Sequence, residues 1–491
     1  MRWSRSFETN GIRPSDKFCY HAAMAQVARL LVVSVWILLG GTAEARPGGG
    51  QSYHSSSHPS SSHSSGGSGF STGGHYYVPG VGGEMPGWVV ILIIVAFVIV
   101  FILSRRGKSQ GEDGGEVAEG GGSSPETVRE LQSLSERDPS FEVTVFTDRA
   151  VQTMAKVNQA WQNGDMGPAR RLISDGVFVR FQTQLKLLKA QGIRNVMADW
   201  RVISAELVGA ESDSLWDTLH LRLSAEARDT DVPTTADAEH VTHAVERAER
   251  AQYTEIWSFL RRRGLKSKAG VPALEGKCPS CGADLPLSEV VQCSYCKSII
   301  NSGEHDWVMA EITQQVEWSP DSAGEVPGLI ELRQRDPSVS RQELEDRASV
   351  VFWKWIEARV TNNRAPLDRF CARAGEPAIA PAPLTEVAVG SADVRSVDLG
   401  SDGRVGGNAD GKDRSTVEIR WSAAQGGGEP AGTASWITLV RAVGAQSRRG
   451  LSSLDCPGCG GALSGSDAVK CAYCGEMLAG RKDEWTLDAI R

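Results

Sequence analysis

Cys278-Pro-Ser-Cys281 is followed, after eleven residues, by Cys293-Ser-Tyr-Cys296. Two Cys-x-x-Cys pairs at short spacing supply four thiolates to one tetrahedral ion, usually zinc. The cassette returns as Cys456-Pro-Gly-Cys459 and Cys471-Ala-Tyr-Cys474, with the same eleven residues between the pairs. Leu285 and Leu463, Val291 and Val469, Tyr295 and Tyr473, and Trp307 and Trp485 are also 178 residues apart. One module is therefore read as duplicated. The cassettes predict two structural Zn2+, one held by Cys278, Cys281, Cys293 and Cys296, the other by Cys456, Cys459, Cys471 and Cys474. Four protein ligands leave no open position, so a structural role is expected. Glycine after a knuckle, as at Gly282, Gly460 and Gly475, suits the turn that points backbone N–H groups at sulfur. Iron in rubredoxin-like knuckles is the alternative, with no second redox motif to support it.

The repeat extends upstream of the cysteines. Arg137-Asp-Pro-Ser140 recurs as Arg335-Asp-Pro-Ser338, and Asp148-Arg-Ala150 as Asp346-Arg-Ala348. A chain of 491 residues exceeds one core, so several domains are expected. The net charge of -8 argues against a nucleic-acid binder, and the cassettes lack dense Lys/Arg. Of ten cysteines, only Cys19 and Cys371 lie outside the cassettes. Thiolate zinc sites suit a reducing compartment.

The amino-terminal part reads as targeting and attachment. Arg29, the apolar run Leu30 to Leu39 and Ala43-Glu-Ala45 predict a signal peptide over 1–45. Residues 46–84, rich in Gly, Ser and His, have too few apolar residues for a core and are expected to be disordered. Trp88 to Leu103 is an unbroken apolar run, giving a transmembrane helix over 85–104. Arg105, Arg106 and Lys108 mark its cytoplasmic end. The expected localisation is the inner (plasma) membrane, single-pass, with residues 46–84 outside and the domains after Arg105 in the cytoplasm. A flexible linker fills 105–124.

Beyond it, an α+β domain is expected over 125–270, a zinc ribbon over 271–318, a second, divergent α+β domain over 336–450 and a second ribbon over 451–491. In the first domain, Phe146, Ala150, Met154, Val157 and Trp161 share a helix face. A second helical region runs from Ala169 to Gln191. Strands are expected at Trp200 to Val208, Trp216 to Ala225 and Tyr253 to Arg261, with Leu219, Leu221 and Leu223 on one face. Asp229 to Glu249 reads as a loop with a short helix. The second copy offers a helix over Ser340 to Val360, with Trp353 and Trp355 in its core, and strands at Val387 to Val397, Ser415 to Trp421 and Ser435 to Val443.

Ala160-Trp-Gln-Asn-Gly-Asp165, Arg171-Leu-Ile-Ser-Asp175, Phe181, Gly192 and Glu255-Ile-Trp-Ser-Phe-Leu-Arg261 carry a resemblance. The segment from Asp138 to Arg263 resembles the domain of the mitochondrial import-motor adaptor family, the forty-four-kilodalton subunit of the inner-membrane translocase and its bacterial relatives. The resemblance implies helices packed on a curved antiparallel sheet, similar to the nuclear-transport-factor-two-like cone. It further implies a membrane-attached adaptor that contacts acidic lipid and scaffolds a protein partner. The second copy matches only through the internal repeat, with Trp436 standing for Trp257.

His220 lies between Leu219 and Leu221 and so points to the opposite face from those leucines. A base in a conical pocket is one reading; a satisfied or solvent-facing histidine is the other. His240 and His243 read as a solvated helix face. Arg261, Arg262, Arg263, Lys266 and Lys268 form a basic cluster able to meet anionic headgroups, at about 1 kcal/mol per residue near a membrane surface. The functional expectation is a single-pass adaptor binding a protein partner or acidic lipid, linked to protein transport and not an enzyme. The alternatives are an enzyme or small-ligand binder using the conical pocket, and a zinc-ribbon nucleic-acid binder.

Overall fold

The computed structural model describes Tyr53, Ser55 and residues 124–268, 276–285, 291–319, 325–401, 410–448 and 469–491, with short pieces between 450 and 463. The expected signal peptide, the 85–104 span, most of the Gly/Ser/His segment and nearly all of the linker lie outside the described residues. Among the described residues, no helix is long and apolar enough to cross a membrane.

The first half opens with α1 (Pro125–Arg137), capped by Ser124, whose Oγ accepts from the Thr127 N–H at 3.1 Å. Next come α2 (Val143–Gln162), a 3-10 turn (Gly167–Ala169) and α3 (Asp175–Ala190). The sheet follows as β1 (Ile193–Ser212), β2 (Trp216–Pro233), α4 (Ala238–Arg247) and β3 (Arg250–Arg262). Its fourth strand, β4 (Val308–Gln314), arrives only after the first cassette. The second half repeats the order: α5 (Leu329–Arg335), α6 (Arg341–Thr361), the short α7 (Ala365–Asp368), β5 (Leu384–Asp398), β6 (Lys412–Gln425), β7 (Ala431–Ala442) and β8 (Thr486–Ile490). Two antiparallel four-stranded sheets result, ordered β1-β2-β3-β4 and β5-β6-β7-β8.

This confirms the α+β class and moves the ribbons. Each cassette is inserted between the third and fourth strands, not appended after a finished domain. Residues assigned to a ribbon, 308–314 and 486–490, complete the sheets. The same backbone step holds each fourth strand: Ile173 bridges Met309, and Cys371 bridges Leu487. Cys371 is buried there and is no zinc ligand. The expected strands run longer than their apolar cores, because β1 and β2 pair out to Ile193 and Pro233.

The halves share a second signature. Asp138 accepts from Arg261 at 2.7 Å and from the Ser267 N–H at 2.9 Å; Asp336 accepts from Arg441 at 2.8 Å and from the Ser447 N–H at 2.7 Å. Each arginine lies over the tryptophan that precedes the fourth strand, Trp307 or Trp485, with 4.6 Å from guanidinium carbon to ring centre. Arg149 and Arg347, of the two Asp-Arg-Ala triplets, donate to the carbonyls of those same tryptophans. The repeated motifs are thus one device, tying the first helices to the third strand and to the residue after the ribbon.

Leu219, Leu221 and Leu223 pack with Trp257 and Phe259 against Phe146, Met154, Val157 and Trp161 of α2 and Phe181 of α3. Phe352, Trp353, Ile356 and Trp421 build the second core, and Trp355 packs against it, as expected of that pair. The concave space of the first sheet is therefore filled by large apolar side chains. The halves are fused along α3 and α6. Asp346 Oδ1 accepts from the Gly176 N–H at 2.7 Å, and a Cβ on Gly176 would fall 2.8 Å from that oxygen. Gln184 and Arg180 of α3 donate to the Val387 and Val389 carbonyls of β5.

Candidate functional site

In each cassette the four sulfurs lie within 4.8 Å of one another. Cys278 and Cys296 are 3.7 Å apart at sulfur, Cys281 and Cys293 3.8 Å, Cys456 and Cys474 3.6 Å, and Cys459 and Cys471 3.7 Å. A tetrahedral Zn–S bond of ~2.3 Å requires S···S separations of about 3.8 Å. The knuckles have the turn expected from their glycines: the Gly282 N–H donates to Cys278 O at 2.8 Å and the Gly475 N–H to Cys471 O at 3.0 Å, with φ of +78° and +75°. Lys297 takes the corresponding place in the second knuckle of the first cassette at φ +63°. The donor set thus fits zinc in both cassettes. Burial pushes the Cys278 thiol up to about 12, while hydrogen bonding to Ser298 pulls Cys296 down to about 5. A bound cation would favour the thiolate at all four positions. Tyr295 and Tyr473 stand exposed at the knuckle tips.

The basic cluster does not form a free face. Arg261 is buried with Asp138. Arg262 pairs with Glu304 at 3.3 Å, Arg263 donates to Asp213 O, Lys266 to Arg137 O and Lys268 to Pro279 O. The lipid assignment is corrected for Arg261 outright, since its charge never reaches solvent. His240 and His243 sit on α4, which buries nothing, in agreement with a solvated face.

His220 proves informative for its location. It turns away from the filled core into a cavity of about 80 Å³ between the halves, continuous in its lining with a further space of about 50 Å³. His220 Nδ1 pairs with Ser258 Oγ at 2.8 Å, and Nε2 with Glu211 at 3.3 Å. Glu211 also accepts from Arg341 at 2.6 Å. Burial alone would raise Glu211; His220 and Arg341 together hold it down at about 2. Glu311, Glu345 and Asp393 add to the acidic lining. Glu311 accepts from the Ala392 N–H and Glu345 from the Val394 N–H, each at 3.3 Å. Burial, reinforced by Asp393, raises Glu311 to about 7; burial and its acidic neighbours raise Glu345 as well. Trp318 stands beside His220 with ring centres 6.1 Å apart. Sequence reading found only His220 here, since the other groups come from elements far apart in the chain.

At the rim of this cavity, Glu317 receives the Tyr53 hydroxyl at 2.5 Å and the Ser55 hydroxyl at 2.9 Å, while Arg420 holds its other oxygen at 2.7 Å. The Tyr53 ring lies against Gly390, where a Cβ would come within 2.3 Å of it.

Residues 129–271 match the Tim44-like domain. The match runs from within α1 to beyond β3 and stops before the first cassette, so β4 and the whole second half lie beyond it. No curated protein matches the chain.

Proposed function

We propose that this chain is a membrane-attached scaffold linked to protein transport. The Tim44-like match over 129–271 carries the reading, being compatible with a transport-related adaptor. The second half is read as a diverged copy of the first, on the strength of the repeated Asp–Arg–Trp device. Fusing the copies through α3 and α6 gives one body rather than two tethered domains, which suits a scaffold that fixes a partner's position. Attachment rests on the apolar run of residues 85–104, and the cytoplasmic placement of the domains on the cysteine cassettes and the flanking cations. The ribbons serve as structural clasps that return the chain to its sheet. Protein partner and membrane are the expected associates; acidic lipid would be met by the exposed members of the cluster, Arg263, Lys266 and Lys268, without Arg261.

The test is affinity purification of the full-length chain from gently solubilised membranes, with mass spectrometry of co-purifying proteins. Recovery of a translocation channel or chaperone supports the scaffold. A partnerless protein refutes it in favour of the second reading, a small-ligand binder, which the polar inter-repeat cavity supports in place of the filled cone.

A further inference from the structure

The cavity between the halves holds more acid than base. Its walls bring Glu211 from β1, Glu311 from β4, Glu345 and Asp346 from α6 and Asp393 from β5. Facing them are Arg341 of α6 and Arg180 of α3, with His220 of β2. Arg341 is committed to Glu211 at 2.6 Å and reaches Glu345 only at 3.7 Å. Arg180 is turned to the carbonyls of Ile312 and Val389. Glu126 and Glu317 add further acid at the rim.

Two features point to an occupant. The Thr218 side chain lines the smaller part of the space, of about 50 Å³, beside Glu311 and Glu345; it is 5% exposed, and its hydroxyl has no hydrogen-bond partner. Gln342 Oε1, in the same lining, is also buried and unpartnered. Unmet polar atoms beside a cavity with room for a few waters are what a bound polar group would satisfy. Among the described residues, only the two cysteine sets bring three or more ligand atoms within 4.8 Å. The carboxylates here are too widely spread to ligate one metal ion directly. An ammonium needs only two of these carboxylates and a hydroxyl around its three N–H donors, and a guanidinium spreads its five N–H donors over a wider reach. Trp318 at the wall offers an aromatic ring to a cation.

We propose that the inter-repeat cavity binds a small organic cation, an alkylammonium or guanidinium group, held by Glu311 and Glu345 with the Thr218 hydroxyl completing its contacts. The raised carboxyls make the entry of a cation an exchange: the cation enters and a proton leaves Glu311 or Glu345. This inference stands apart from the transport reading and does not depend on it.

The test is calorimetric titration of the full-length, detergent-solubilised chain with n-propylammonium and methylguanidinium chlorides, in two buffers of different ionisation enthalpy. Saturable binding is expected, with proton release, and about tenfold weaker at pH 5.5 than at pH 7.5. Glu311→Gln with Glu345→Gln is expected to weaken it at least tenfold, with zinc content and circular dichroism as controls for folding. Thr218→Val, which keeps the shape and removes the hydroxyl, is expected to weaken it several-fold and serves if the double variant fails to fold. A short peptide bearing one lysine is titrated in parallel. Tighter binding of the peptide assigns the group to a partner's side chain; tighter binding of the free amine assigns it to a small molecule. The proposal is overturned if neither probe binds, if Mg2+ binds as well as they do, or if binding survives the variants unchanged.

Discussion

Tyr53 donates its hydroxyl to Glu317 Oε1 at 2.5 Å, although 264 residues separate them. The contact ties the Gly/Ser/His segment to the rim of the inter-repeat cavity, on the same side of any membrane as the two sheets. One crossing by residues 85–104 between Tyr53 and Ser124 would part the two residues. The contact and the expected outside placement of residues 46–84 are therefore alternatives for any one chain. With a photoreactive phenylalanine in place of Tyr53, irradiation of intact membranes should yield a crosslink to the peptide containing Gly390. Absence of that crosslink, with residues 46–84 open to protease from outside, would restore the single crossing and exclude the contact there.

The buried Arg441–Asp336 pair, with both side chains 1% exposed, should be costly to break. Arg441→Met leaves the buried Asp336 with only the neutral N–H donors of Ser447 and Ser338, and a loss of about 3–5 kcal/mol is expected. Arg261→Met should do the same to Asp138. Burial works to raise Asp138, but Ser267 and Arg261 more than offset it and hold it below its usual range. Chemical denaturation of each variant measures the loss. A change below about 1 kcal/mol would mean the pair only breaks even against its desolvation.

These pairs also mark how far the sequence could be read. The repeats of Asp138 and Asp336, and of Arg149 and Arg347, were visible as motifs. Their purpose was not, because the partner of Asp138 lies 123 residues away. Counting charge placed Arg261 in a surface cluster for the same reason: local composition cannot show a carboxylate arriving from the end of α1. Helix periodicity located α2 to within a few residues, since it buries one stripe; α6 was located as closely, although it is buried on nearly every side between Asp346 and Ala358. The fourth strands were missed because they are seven and five residues long and follow the cysteines closely enough to be taken for ribbon. The cavity was nearly illegible. Alternation put His220 on the far face of β2, but Glu211, Glu311, Arg341, Glu345 and Asp393 meet it only when two sheets pack.

The position of the ribbons makes a specific prediction about zinc. Cys278→Ser with Cys281→Ser removes half of one ligand set, so zinc content should fall from two ions per chain to one. The ribbon joins β3 to β4, and β4 is held to Leu172 and Ser174 by the Met309 N–H and carbonyl at 3.0 and 2.9 Å. Loss of the ion should therefore appear as faster hydrogen exchange in β4, with a lower melting temperature. Unchanged zinc content and unchanged exchange at Val308–Gln314 would refute the clasp.

The carboxyls at the interface set a direction for the pH dependence of stability. Burial raises Glu311 to about 7, and Asp346 to about 6 with the help of Asp175. In the unfolded chain these groups titrate near 4–4.5. Between about pH 4.5 and 7 the folded protein thus binds more protons than the unfolded chain. Stability contributed by these groups is complete below that window and is lost as pH rises through it. Glu211, held at about 2, acts in the opposite sense, but its contribution is lost only as pH falls below about 4.5. Zinc thiolates also protonate in acid, so the range to measure is pH 5.5 to 8. The melting temperature should fall across it, and Glu311→Gln, which is neutral throughout, should flatten the slope. A melting temperature that rises from pH 5.5 to 8 in the parent chain, with zinc content constant, would show that these carboxyls are ionised in the folded interface.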